Sequence, residues 1–367
     1  MSAVLFSEHP TQSGHLIGEI RLNSERTLNA LTLEMIDLIQ PQLDRWQADA
    51  RVVAILLDSS GDKAFCAGGD IVNLYKAMTG EADTDFPQAF FSREYRLDYA
   101  IHTSPKPIIC WGSGIVMGGG MGLMNGCSHR VVTQTSHLAM PEVSIGLYPD
   151  VGGSWFLNRM PGGTGLFLGL TGNPINARDA IFLGLADRAI DAGLREGLLS
   201  RLASEAWNGD AGGTVSRILR ELEGESRSCF DTQPAPIREH FDLIRSLTDH
   251  DSVEAIVAAL LALESDDKWV LRAQKAVRNG SPLSLQLIGA QLQRSRHLSL
   301  REVFQQELLL SLQCCRQGEF AEGVRALLID KDAKPQWRYG SLEAVDPAFI
   351  AELFANPLGQ EQPLADL

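Results

Sequence analysis

Along the first half of the chain, short stretches of strand-like periodicity alternate with stretches of helical periodicity. Leu16–Leu22 (LIGEIRL) interrupts its apolar positions at Glu19 and Arg21, which predicts a half-buried strand. Thr32 stands where it can cap a helix reaching about Trp46, with Met35, Ile36, Ile39 and Leu43 on one face and a bend at Pro41. Residues 52–57 (VVAILL) are apolar throughout, the pattern of a strand covered on both faces. Residues 108–111 and 130–133 repeat that signal after helical stretches. Strands interleaved with helices predict an α/β architecture with crossover connections.

The pattern changes beyond about Asp191, where strand signals fade and amphipathic helices take over. Loops are expected at 208–214 and 224–236, which are rich in Gly, Ser and Pro. A helix is expected to start at Asp251, with Glu254 at capping-box spacing, and another at Ser299, with Glu302 completing its box. The predicted organisation is an α/β core over residues 1–190 with a helical lobe over 191–367 packed on it.

Composition narrows the function classes. Hydrophobic residues make up 44% of the 367, enough for a substantial core and too many for a disordered chain. The net charge of −14 argues against nucleic acid as the main partner, yet leaves room for an anionic small molecule held by local N–H groups. The six cysteines form no CxxC pair and share no metal-ligand spacing with the eight histidines, so free thiols and no metal centre are expected. Residues 107–127 carry no charge, but seven of them are glycines, which fits a buried strand, a tight turn and a helix start better than a bilayer span. With no secretory pattern in residues 1–15, a cytoplasmic protein without a membrane partner is expected.

Three segments could carry chemistry. Lys63–Asp70 (KAFCAGGD) and Gly112–Gly122 (GSGIVMGGGMG) each follow a buried strand, and the third is His137–Gly153 (HLAMPEVSIGLYPDVGG). Two Gly-rich turns after buried strands can present bare N–H groups at one end of a sheet, and a helix opening at Gly118–Gly120 adds its positive dipole end. Convergent N–H donors are what a developing oxyanion at a carbonyl or thioester requires. Commoner motifs are missing: Met117 breaks a GxGxxG pattern, and no GxxxxGK[ST], GxSxG or HExxH occurs.

Taken in order, FCAGGD, GxVMGGGxG and MPExxIGLYPDVGG resemble the enoyl-CoA hydratase/isomerase (crotonase) superfamily over about residues 12–190. The resemblance extends to the branch that hydrolyses 3-hydroxyisobutyryl-CoA in valine breakdown, through SPLSL at Ser281 and FAEGVRALLIDKD at Phe320. It implies a crotonase-like spiral of ββα units with C-terminal helices. It also implies an oxyanion hole formed by the N–H groups of Gly69 and Gly119. Hydratases of the superfamily use two glutamates; the first position is Gly122 here, and the second is Glu142. Asp150 stands where those hydratases have glycine, as in the hydrolase branch, and Glu94 matches an acidic substrate-contacting position of that branch. By the same analogy Arg26, Leu28, Ala30 and Ala67 line the coenzyme A portion, with Arg26 near phosphate. Coenzyme A is then part of the substrate, and no separate cofactor is implied.

The resulting expectation is acyl-CoA thioester hydrolysis, with Glu142 acting on the carbonyl carbon as nucleophile or through a water, and with Asp150 and Glu94 contacting the substrate hydroxyl. The alternatives are a hydratase, isomerase or decarboxylase of the same superfamily, and a non-catalytic CoA-binding protein. Plainer roles exist for each acid: Glu94 as a solvated helix residue, Asp150 as a cap for the helix after it. Glu142 is harder to explain away, because its flanks are apolar. Homo-oligomerisation is compatible with the resemblance.

Overall fold

The computed structural model describes residues 2–359 and 361–367. The chain divides into two compact units, each assembled from three stretches of sequence.

The first unit comprises Met1–Gly69, Leu97–Leu138 and Ile175–Ala235. Strands β1 (Val4–Pro10), β2 (Leu16–Leu22), β3 (Val52–Ser59), β4 (Ala64–Cys66), β5 (Ile108–Gly112), β6 (Ile115–Met117), β7 (His129–Val132), β8 (His137–Ala139) and β9 (Arg188–Ala189) form two sheets. The larger has the order β1-β2-β3-β5-β7-β9, the smaller β4-β6-β8. β1 is antiparallel to β2, and each later neighbour in the larger sheet is parallel. Successive strand pairs therefore place one member in each sheet: β3 and β4, β5 and β6, β7 and β8. A helical segment follows each pair, and this is the ββα spiral that the family resemblance implied.

The strand patterns explain why this sheet lies inside. Every residue of β5 is buried, and in β3 only Val53 and Ser59 are partly open. Alternate positions Ala54 and Leu56 pack with Ile109, Trp111 and Val131 against Leu198, Leu202, Val215, Ile218 and Leu222. The helices Arg195–Ser204 and Ala211–Ser226 thus cover one sheet face. The uncharged run 107–127 becomes β5, β6 and the helix Gly119–Gly126. No helix among the described residues is long and apolar enough to cross a membrane.

Several local expectations hold. Thr32 caps the helix Leu33–Ala48 by accepting the Met35 N–H, and the expected face is buried. Ser299 and Glu302 form a full capping box on Leu300–Arg316. Others need correction. The cap near Asp251 is Ser252, whose hydroxyl accepts the Ala255 N–H, because the helix begins one residue later at Val253. The loops expected at 208–214 and 224–236 are both invaded by the helix Ala211–Ser226, whose apolar stripe Val215, Ile218, Leu219 and Leu222 outweighs its three glycines.

The second unit comprises Asp70–Arg96, Ala139–Pro174 and Pro236–Leu367 and is helical. Its centre includes the helices Pro282–Ser295, Leu300–Arg316 and Glu319–Val324, which pack around the turns of the 139–174 stretch.

Candidate active site

In the first unit the Gly-rich turns are set by strand pairing. β4 and β6 run parallel, with Cys66 beside Val116, so the chain leaves both strands at the same sheet end. One exit continues through Ala67, Gly68 and Gly69; the other through Gly118 into the helix Gly119–Gly126. The approach is tight. A Cβ on Gly120 would lie 2.4 Å from the Cys66 carbonyl oxygen, so only glycine lets this helix start sit against β4. The Gly119 N–H is in the first helical turn, where no intrahelical acceptor exists. Gly69 bridges Leu31 in parallel fashion, and the Leu31 N–H is bonded to the Gly68 carbonyl at 2.8 Å. Among the described residues neither the Gly69 nor the Gly119 N–H donates a non-local backbone bond.

The segment expected to carry coenzyme A lies alongside. The Ala67 N–H donates to the Leu28 carbonyl at 3.1 Å, which joins Leu28–Ala30 to the Cys66–Gly69 turn. Leu28 and Asn29 both have φ 55°, an uncommon conformation for residues with a side chain. The buried Asn29 side chain holds it in place. Its Oδ1 accepts the Ser24 N–H at 2.8 Å, and its Nδ2 donates to the carbonyls of Ser60 and Ala64 at 3.0 and 2.9 Å. Arg26 is exposed in the middle of the short Glu25–Thr27 turn.

The second unit gathers the acids. Glu142 opens a 3-10 turn, Glu142–Ile145, and is only 4% exposed. Ser281 donates its N–H to the Val143 carbonyl, and its hydroxyl donates to Glu319 at 2.6 Å. A Cβ on Gly323 would lie 2.4 Å from the Ile145 carbonyl oxygen, so the C-terminal helix presses directly on this turn. The segments around Ser281 and Phe320 thus serve as its backing. Glu142 Oε2 is buried and without a hydrogen-bond partner. Burial, and then the charge of Asp150, push the Glu142 carboxyl well above the usual carboxylate range.

Asp150 is 5% exposed. Burial raises its carboxyl to about 6, and the Tyr95 hydroxyl, donating to Oδ2 at 2.6 Å, opposes that rise. Tyr95 also lies 2.8 Å from the Ser311 hydroxyl, and Ser311 lies 2.9 Å from the hydroxyl of Tyr148. Asp150 does not cap the following helix with its side chain: Gly153–Leu157 starts from Gly152, and only the Asp150 carbonyl accepts a bond, from the Gly153 N–H. Nor is Glu94 a solvated residue; it is 2% exposed on the helix Phe86–His102.

Glu94, Glu142 and Asp150 are thus buried acids of one unit, while Gly69, Gly119 and the Leu28–Ala30 segment belong to the other. The sequence reading passed over Tyr95, Tyr148, Ser311 and Glu307. Tyr148 lies in the His137–Gly153 segment and Tyr95 directly follows Glu94, so both carried a signal, as hydroxyls beside acids. Ser311 and Glu307 lie on a helix face that periodicity marks only as core.

The comparisons with known proteins agree with this architecture. A family model described as enoyl-CoA hydratase/isomerase matches residues 17–354. The chain is 37% identical over 346 residues to the mitochondrial 3-hydroxyisobutyryl-CoA hydrolase of Gallus gallus, covering 93% of this chain and 87% of that one. It is 38% identical to the Homo sapiens protein of the same name, over 89% of this chain and 83% of that one. A solved enoyl-CoA hydratase from Rhodobacter sphaeroides is 36% identical with a TM-score of 0.83, covering 98% of each chain. A carnitinyl-CoA dehydratase from Mycobacterium thermoresistibile is 32% identical with a TM-score of 0.87 over the whole of both. The chain therefore belongs to the enoyl-CoA hydratase/isomerase family.

Proposed function

We propose that this protein hydrolyses an acyl-CoA thioester, with 3-hydroxyisobutyryl-CoA giving 3-hydroxyisobutyrate and free coenzyme A. The observation that carries the reading is Glu142, a buried carboxyl with an unbonded oxygen and a second buried carboxyl, Asp150, influencing it. A carboxyl whose affinity for protons is raised is a stronger base and nucleophile once ionised. The loss of the other hydratase glutamate, at Gly122, removes the acid/base pair that hydration needs. The relatives named as hydrolases support the same reaction.

In this reading the thioester oxygen accepts from the Gly69 and Gly119 N–H groups, which stabilise the oxyanion as the carbonyl carbon becomes tetrahedral. The new bond to carbon comes from a Glu142 oxygen, giving a mixed anhydride that water then opens, or from a water whose proton Glu142 takes. Collapse of the tetrahedral species breaks the C–S bond, and coenzyme A leaves as a thiolate that takes up a proton. Asp150 orients the hydrolytic water and the substrate hydroxyl, and Glu94 accepts a hydrogen bond from that hydroxyl. A buried acceptor for a hydroxyl discriminates strongly against acyl groups lacking one. The pantetheine runs along Leu28–Ala30 and Ala67, with Arg26 toward phosphate.

The test is thiol release over a panel of short acyl-CoAs. Wild-type protein should release thiol from 3-hydroxyacyl thioesters, and Glu142→Gln and Asp150→Gly should not. Loss of enoyl absorbance without thiol would instead identify a hydratase.

A further inference from the structure

Directly after Asp150 the backbone takes an unfavourable path. Val151 has φ 52° and Gly152 φ 79°, two left-handed residues in succession. For β-branched valine this conformation is a true outlier and persists only where the surroundings impose it. Burial of the Val151 side chain, 1% exposed, leaves the turn no freedom to relax toward solvent. The turn also aims the Asp150 carboxyl, so whatever imposes it sets where that carboxyl points.

Glu307 bonds this turn directly. It is fully buried on the helix Leu300–Arg316, and no cation bonds it among the described residues. Its Oε2 accepts the Gly152 N–H at 2.7 Å, and its Oε1 accepts the Ser154 N–H at 3.0 Å together with the Ser154 hydroxyl. Gln291 donates to that hydroxyl at 2.8 Å. The backbone carbonyl of Glu307 accepts from Tyr148, whose hydroxyl neighbours Ser311 and hence Tyr95, the donor to Asp150. One residue therefore holds the turn from below and anchors the hydroxyl chain reaching the Asp150 side chain.

We propose that Glu307 is a positioning residue: its buried carboxyl group clamps the left-handed Val151–Gly152 turn and thereby aims Asp150 for catalysis. This rests on the assignment of Asp150 in the proposed hydrolysis. Glutamine at 307 keeps the shape but replaces one acceptor by an N–H₂ group, so one of the turn's N–H donors loses its partner. A misplacement of about 1 Å at a reacting group costs up to about a hundredfold in rate.

The experiment is a double-mutant cycle on steady-state thiol release, using Glu307→Gln, Val151→Gly and the double variant, with Asp150→Asn as control. Glu307→Gln should lower kcat about 10- to 100-fold with KM within about twofold, because the clamp touches no substrate. Glycine at 151 adopts the left-handed path without strain, so in that background the Glu307→Gln effect should shrink to about threefold or less. An undiminished effect in both backgrounds, a loss confined to KM, or wild-type kcat in Glu307→Gln would overturn the clamp. If Glu307→Gln does not fold alone, the comparison of Val151→Gly with the double variant decides in the same way. Should Asp150→Asn keep wild-type turnover, the Asp150 assignment falls and the clamp with it; an inactive Asp150→Asn beside a fully active Glu307→Gln removes the clamp alone.

Discussion

Replacing Tyr95 by Phe deletes one oxygen from a fully buried ring, and the consequences can be worked from its partners. The hydroxyl donates to Asp150 Oδ2 at 2.6 Å, a short bond to a carboxylate away from water. Burial already raises the Asp150 carboxyl to about 6, and the Tyr95 bond is the first influence opposing it. A hydrogen bond to a charged group contributes about 1.5–3 kcal/mol, and one pH unit corresponds to about 1.4 kcal/mol. Losing the bond should therefore move the Asp150 titration upward by about one to two pH units. At pH 7 a carboxyl titrating near 6 is about 90% ionised; raised by that amount it is about half to one-tenth ionised. With ionised Asp150 as the working form, kcat at pH 7 should fall about two- to tenfold in Tyr95→Phe and recover toward pH 9. The assay is the pH profile of thiol release under saturating substrate. An acid limb at the same pH in both proteins, whatever the absolute rate, would refute the reasoning. Glu142 titrates beside Asp150, so the limb reports on the pair rather than on either group alone.

Three further outcomes follow from the same structure. Asn29→Ala removes three hydrogen bonds around the Leu28–Ala30 segment, so thermal unfolding should show a loss of about 2–4 kcal/mol, and KM for acyl-CoA should rise more than kcat falls. Gly120→Ala drives a Cβ to 2.4 Å from the Cys66 carbonyl oxygen, and the backbone shift needed should cost about 1–3 kcal/mol and lower kcat; an unchanged Tm would contradict the close packing. Glu307 is raised by burial from its ordinary 4.5 to about 8, so the native state keeps a proton that the unfolded chain has released; this contribution to stability is complete below about pH 4.5 and declines as pH rises toward 8. Urea midpoints should fall across that window in the wild type and less steeply in Glu307→Gln.

How far the fold and site were legible in the sequence differed by element, for physical reasons. β3 and β5 could be read because a strand covered on both faces leaves an uninterrupted apolar run. The start of Leu300–Arg316 was equally plain, since Ser299 and Glu302 satisfy each other locally. The helix Ala211–Ser226 was obscured by glycines at both ends, and only tertiary burial of its apolar stripe reveals it. At the site, Glu142 stood out because a carboxyl among Met, Val and Ile has no comfortable surface role. The ββα spiral came from resemblance; alternation alone implied only strands with crossovers. Glu307 and Ser311 stayed hidden because their partners, Gly152, Ser154, Tyr148 and Tyr95, lie some 150 to 216 residues away in sequence, a distance no local pattern spans.

The claim on which the account depends is that two main-chain amides and one carboxylate serve the same thioester carbonyl. A crystal structure with a ketone analogue of 3-hydroxyisobutyryl-CoA, in which CH₂ replaces the sulfur, tests it most directly. The account predicts the analogue's carbonyl oxygen about 3 Å from both the Gly69 and Gly119 nitrogens, with a Glu142 oxygen, directly or through one water, facing the carbonyl carbon. A carbonyl bound away from either amide, or facing a carbon that Glu142 does not approach, would contradict it.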